Sequence, residues 1–321
     1  MRSDAKIKVG IVRGMAGDHY EFSLASGGDI ISHITEHLSE KYKPVDIFID
    51  KNYIWHASGI PINISDLAHK VDLIWNVAHP SQNGILNELG IPSVNTPVFP
   101  ALLRDNHEML TRHLRQIGVD VARKIVLPTY QADFDGPIQK YATQKAKEIH
   151  QKFSAPWIVK SYTEDADMGP VRGREGSQRP SASNGMGIHM AKTFPELVEA
   201  IEDGVRHNKS ILIEEFILGK TVSTHSLREW RGEDIYVFPP EDFSKKEKEN
   251  LSSLARELHS HIGAEYYLKV DFILHPRGRA YVVGFSFLPD VKKNSHFSRA
   301  CQSVGAKAHH VMEHILEKAK I

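Results

Sequence analysis

The chain has 321 residues, enough for two or three domains with cores of their own. Hydrophobic residues make up 41% and charged residues 25%, and 40 basic side chains balance 40 acidic ones. That balance excludes a global attraction to nucleic acid or to an anionic membrane. The single cysteine, Cys301, cannot form an internal disulfide, so a reducing, cytoplasmic setting is expected. The opening MRSDAKIKVGIV lacks the apolar stretch of a signal peptide, and no apolar run approaches the roughly 18 residues of a membrane helix. Pairs among the 19 histidines, such as His259/His261 and His309/His310, read as solvated helix faces, and no HExxH pattern is present.

Residues 6–12 (KIKVGIV) read as a buried strand, followed by a loop carrying Gly14 and Gly17. Ser26-Gly27-Gly28 is expected to open a helix with an apolar stripe at Ile30, Ile34 and Leu38. Apolar runs at 45–49 and 71–78 fit parallel strands. The alternation of strand and helix predicts an open α/β sheet that ends near the prolines of VNTPVFP. A helix over 101–117, the run IVLP, a helix over 138–152 and the strand PWIVK (156–160) follow. Residues 161–187, rich in Gly, Ser, Arg and Pro, are long for a plain connector and read as a mobile functional loop or a disordered one. A helix at about 194–206 leads to the strand ILIEEFI (211–217). The last region gives a helix over 244–262, strands at 267–274 and 280–287 around the turn PRGR, and a final amphipathic helix with Val311, Met312, Ile315 and Leu316 on its stripe. The expected division is 1–98, 99–210 and 211–321.

Three blocks carry candidate chemistry. Lys160 closes an apolar strand before a polar loop; such a lysine is either solvated or a point charge over a triphosphate. Glu214 and Glu215 interrupt an apolar strand, and strand alternation sends them to opposite faces. One of them can accept from an adenine amino group or ribose hydroxyls, unless the two form an edge-strand charge pair. Asp271 lies inside the apolar strand YLKVDFIL, where an unpaired carboxylate costs several kcal/mol, so it requires a cation or donors. The hairpin partner near Gly284–Ser286 makes this the layout of a magnesium site on paired strands.

In this order the blocks resemble the D-alanine–D-alanine ligase family of ATP-grasp enzymes, nearly end to end. Glu21-Phe22-Ser23-Leu24 with Ser26-Gly27 is similar to the family's EVSLxSG, PWIVK to PVIVKP and ILIEEFILGK to VLVEKFIKGREF. KVDF is similar to RVDF, and FLPDVKKNSHFSRACQSVG to TxPGMTxxSLxPxxAxxxG. The resemblance implies a three-domain ATP-grasp architecture with a Rossmann-like N-terminal domain. It implies ATP and Mg2+ as cofactors and amino acids as substrates, with no nucleic-acid or membrane partner and with room for a homodimer. It gives Glu21 to the first amino acid, Lys160 to the phosphates, and Glu214, Glu215, Phe216, Ile217 and Phe272 to the nucleotide. Asp271 is the implied metal ligand, Lys269 stands where the family arginine steadies the intermediate, and Ser295 falls on the substrate-side serine. The glycine-rich phosphate loop matches either Arg174-Glu175-Gly176-Ser177 or Ser183-Asn184-Gly185-Met186-Gly187, and spacing to the next helix favours Gly185, Met186 and Gly187.

The departures are specific. The family's Glu-x-Asn metal ligands read Gly284-Phe285-Ser286 here, and a second phosphate lysine reads His107. Too few residues join Thr224 to Ser244 for the family's tyrosine-bearing lid. Two readings therefore stand: an ATP-dependent carboxylate–amine ligase, or a degenerate relative that binds nucleotide without ligating. Gly284, which offers no side-chain oxygen, separates them.

Overall fold

The computed structural model describes residues 6–17, 20–130, 136–161, 188–207 and 209–320. They fall into two compact units, Met1–Asn106 with Val222–Val270 and Phe285–Ile321, and His107–Thr221 with Asp271–Gly284. No described helix is long and apolar enough to cross a membrane.

The first unit opens on a parallel sheet. β1 (Ile7–Gly14) lies between β2 (Tyr42–Ile49) and β5 (Leu73–Asn76), and β6 (Ser93–Val94) extends it beyond β5. β3 (Trp55–Ala57) and β4 (Ile60–Pro61) add antiparallel at the other edge, for an order β4-β3-β2-β1-β5-β6. Alternation along β1 sends Val9 and Ile11 to one face, in a cluster with Ile30 and Ile34 of α1 (Tyr20–His37). Val12 joins the opposite cluster with Ile47, Ile74 and Leu86. α2 (Leu67–Lys70), α3 (Asn83–Glu88) and α4 (Val98–Asp105) complete this part.

The start of α1 corrects the sequence reading. The helix begins at Tyr20, so Ser26, Gly27 and Gly28 lie within it instead of opening it. Gly27 is there for packing: a Cβ on it would come within 2.6 Å of Arg13 Cδ on β1. Helix and strand approach too closely for any larger residue.

Later segments of this unit follow their local signals. α8 (Lys245–Ile262) starts on a capping box, in which Ser244 Oγ accepts from Glu247 N and the Glu247 carboxylate accepts from Ser244 N. It ends on Gly263 at φ 75°, the left-handed turn that glycine adopts without strain. The interval between Thr224 and Ser244 is not a bare connector, because β12 (Lys220–Trp230) and β13 (Glu233–Phe238) fill it as an antiparallel hairpin. β14 (Tyr267–Leu274) lies on the other side of β12. α9 (His296–Ser303) and α10 (Ala308–Ala319) close the chain, and Val311, Met312, Ile315 and Leu316 of α10 are buried as the expected stripe. His259 contradicts the expectation of a solvated histidine face: it is fully buried on α8, with Nδ1 2.8 Å from Ser226 Oγ.

The second unit holds a four-stranded antiparallel sheet of order β10-β9-β11-β8. Its strands are β8 (Lys124–Leu127), β9 (Trp157–Ser161), β10 (His189–Ala191) and β11 (Ile211–Glu215). Trp157, Val159, Ile211 and Ile213 pack against α6 (Ile138–Lys152) and α7 (Phe194–Arg206) through Ala146, Ile149, Leu197 and Ile201. Thr193 caps α7 by accepting from Glu196 N. The helix expected over 101–117 is two, α4 and α5 (His107–Arg115), because Asn106 between them is extended (φ −115°, ψ 93°). β7 (Asp120–Val121) pairs in parallel with β15 (Ala280–Ser286), aligning Tyr281 with Asp120 and Val282 with Val121.

Candidate functional site

In the second unit the strand register brings the expected nucleotide residues together. Lys160 on β9 stands opposite Leu212 on β11, and Ile158 stands opposite Glu214. Lys160 and Glu214 are thus diagonal neighbours on one face of the antiparallel pair, within reach of long side chains. Lys160 Nζ lies 2.9 Å from Glu214 Oε2, and the lysine is 6% exposed. This face is the one turned away from α6 and α7, whose core takes the alternate residues Trp157, Val159, Ile211 and Ile213.

Glu215 goes the other way, as alternation requires. Its carboxylate accepts from Arg123 Nε at 2.8 Å and from Nη2 at 2.6 Å, a two-point grip. The Arg123 hydrogen bond comes first among the effects that hold the Glu215 carboxyl below its usual range, ahead of an opposing burial penalty. Glu215 N also donates to Arg123 O at 2.8 Å, and Phe216 N donates to Pro156 O at 3.1 Å. The chain leaving β11 is thereby fixed, with Phe216 and Ile217 half-buried. Gly185, Met186 and Gly187 lie outside the described residues.

Asp271 and Phe272 are side by side on β14, at 2% and 0% exposed. On β15, Gly284 and Ser286 occupy the positions expected of metal ligands. Gly284 offers no oxygen, and Ser286 Oγ donates to Leu288 O at 3.1 Å. A buried carboxylate suits a hard cation, yet only one of the three expected ligand positions carries a carboxylate. The residues present fit a magnesium ion held by Asp271 with phosphate oxygens and water, and not a multi-carboxylate cage.

The residues expected on the amino-acid side lie in the first unit. Glu21 is exposed in the first turn of α1, and Ser23 two positions on is buried, its Oγ accepting from Gly14 N at 3.0 Å. Ser295 is the N-cap of α9: its Oγ accepts from Ser298 N at 3.0 Å and donates to Asp290 O at 2.7 Å. Sequence reasoning missed the group beneath it. His296 Nδ1 is 2.7 Å from His225 Nε2, and His225 Nδ1 is 2.6 Å from the Tyr267 hydroxyl. Burial, then His296, then Lys269 push the His225 pKa well below its ordinary value, so the ring is neutral. The available signal was faint: a histidine beside Ser295, and another in the strand STHSL. Arg123 was missed as well, since nothing in KIVLP marks the residue before it.

No family model matches the chain. A D-alanine–D-alanine ligase from Halalkalibacterium halodurans is 25% identical over 332 residues, covering 93% of this chain and 94% of the relative. The crystal structure of D-alanyl-alanine synthetase A from Vibrio cholerae superposes with a TM-score of 0.72 at 15% identity, covering 98% of both chains. A D-alanine–D-alanine ligase from Bacillus anthracis, solved in complex with ATP, has a TM-score of 0.67 at 16% identity, covering 98% of this chain and 96% of that one. The chain is thus similar to D-alanine–D-alanine ligases over nearly its whole length and shares their fold, the ATP-grasp architecture.

Proposed function

We propose that the chain is an ATP-dependent carboxylate–amine ligase. A carboxylate oxygen of one amino acid attacks the γ-phosphorus of ATP, the bond to the β–γ bridging oxygen breaks, and ADP leaves. The amine of a second amino acid attacks the acyl carbon, phosphate departs with its electron pair, and the nitrogen loses a proton. The observation that carries the reading is the buried Lys160–Glu214 pair on adjacent strands. A buried ammonium is costly unless an anion meets it; Glu214 meets it here, and in this reading the triphosphate is a second anion for the same ammonium.

In this reading Lys160 gives its charge to the phosphates, and Glu214 accepts from the adenine or ribose. Arg123 locks Glu215, so that the chain at Phe216 and Ile217 meets the base with a fixed backbone. Glu21 holds the first amino acid's ammonium. Lys269 provides positive charge to the intermediate, and Ser295 orients the second substrate, with His296 held in place by neutral His225. Magnesium, when bound, neutralises the phosphates, and Asp271 would hold it. Positioning and charge compensation carry such chemistry. The three-part division at about residues 98 and 210, a homodimer and a cytoplasmic location belong to the same proposal; the family likeness and the lone Cys301 support it.

ADP release from ATP, measured on the purified chain against a panel of D- and L-amino acids, tests the function. Release that depends on an amino acid is the expected result. Tight ATP binding without release for any amino acid would instead indicate a nucleotide-binding relative that has lost ligation.

A further inference from the structure

Three histidines of the first unit converge away from the residues discussed above. His33 and His37 lie one turn apart on α1, and a spacing of four places both on one helix face. His309 stands in the first turn of α10, with its ring centroid 4.5 Å from that of His37. Each of the three offers a ring nitrogen, and these atoms lie within 4.8 Å of one another. A tetrahedral ion of the zinc type holds imidazole nitrogens at about 2.0–2.1 Å, hence about 3.4 Å apart. Small side-chain rotations close that gap.

The chemistry of His33 points the same way. Its Nε2 lies 2.7 Å from Val291 O, and a carbonyl oxygen can only accept, so the ring proton is on Nε2. Nδ1 is then an unprotonated lone pair, buried and without a hydrogen-bond partner. A bare ring acceptor is costly to bury. One nitrogen donating to a main-chain carbonyl while the other is left basic is how proteins hold a metal-binding imidazole. His310, next to His309, is turned aside, because its Nδ1 accepts from Lys307 N at 3.3 Å. The Glu36 carboxylate lies 3.9 Å from His37 Nε2.

We propose that His33, His37 and His309 bind a divalent first-row transition ion of the zinc type, which ties α1 to α10. Three imidazoles favour zinc, nickel, copper or cobalt over magnesium or calcium, which prefer oxygen. Water fills the remaining position. The ion is separate from the magnesium expected at Asp271.

The test uses the full chain freed of metal by a chelator and titrated with Zn2+ by calorimetry, and with Co2+ by visible absorption. One saturable site per chain is expected, with a cobalt spectrum of low coordination number. His309→Gln and His37→Gln should each weaken zinc binding at least tenfold and abolish the zinc-dependent rise in Tm, while leaving the metal-free Tm near that of the wild type. His69→Gln, an exposed histidine elsewhere in the unit, should leave binding unchanged. The proposal is overturned if the wild type shows no saturable site. It is equally overturned if the folded His309→Gln and His37→Gln proteins bind zinc as tightly as the wild type, since other histidines would then be the ligands.

Discussion

The two units bury polar groups in opposite ways. Among the described residues, the buried polar side chains of the first unit are Ser23, Asn76, Asn83, Thr96, Thr224, Ser226, His225 and His259. Six of these carry no charge at any pH, and both histidines are held neutral by burial. In the second unit the buried polar side chains among the described residues are Lys160 and Asp271, and both are of ionisable types. These are the two residues that the family resemblance gives to the phosphates and the metal. A protein interior tolerates a neutral hydrogen-bonded group at small cost but a charge only with a partner. The difference is what the proposed function expects of a unit that receives a charged ligand.

The largest effect that sharpens this comparison is acid sensitivity of the first unit. The His259 pKa is lowered from its ordinary 6.5 to about 4, mainly by burial. A depressed histidine pKa means that the unfolded chain takes up a proton before the folded one does. The stabilisation is therefore complete above about pH 6.5 and is lost as pH falls from there through about 4. About 3 kcal/mol should disappear over that window. Urea unfolding at pH 7 and pH 4.5 measures it. His259→Gln should flatten the dependence, and an equal loss in wild type and variant would break the account of neutral buried histidines.

Next is Lys160. Removing a buried charge-assisted contact to a phosphate costs about 2–3 kcal/mol, or roughly 30- to 150-fold in ATP affinity. Calorimetry on Lys160→Ala measures this. The same variant leaves Glu214 without its cation, so stability should fall too, and the double variant with Glu214→Gln should recover part of that loss. Unchanged ATP affinity in folded Lys160→Ala would remove Lys160 from the phosphates.

A smaller effect is expected on the β14–β15 hairpin. With Gly284 at a ligand position, magnesium should be held weakly, and ADP release should need a high magnesium concentration. Gly284→Glu with Ser286→Asn should lower the magnesium at half-maximal rate several-fold. A folded double variant with an unaltered magnesium profile would mean that these positions do not face the metal. Smallest is Ser295→Ala. Loss of the α9 cap should cost about 1 kcal/mol of stability. If Ser295 also orients the second amino acid, KM for that substrate rises as well, whereas a pure cap leaves KM alone.

Legibility in the sequence followed the range of the interactions. α8 was readable because Ser244, Glu247 and Gly263 are signals written within one turn of the helix ends. Lys160, Glu214 and Glu215 were readable because a charge in an apolar strand stands out against its neighbours. The start of α1 was misread because glycines normally mark a boundary, and Gly27 instead answers to Arg13 on another element. His259 and the His225–His296 pair were illegible for a related reason. Histidine occurs both buried and exposed, and here its state is fixed by Ser226 in one case and by a residue 71 positions away in the other. The Glu215–Arg123 grip spans 92 positions, and no local pattern announces it.

The central claim is that this chain, with Gly284 and Ser286 where the resemblance expects metal ligands, still joins a carboxylate to an amine at the expense of ATP. Mass spectrometry of a reaction containing the purified chain, ATP, high magnesium and a mixture of D- and L-amino acids tests it most directly. The expected result is a dipeptide formed in one-to-one ratio with ADP and phosphate, and absent for Lys160→Ala. ATP left intact across the whole mixture, by a protein that binds ATP, would contradict it.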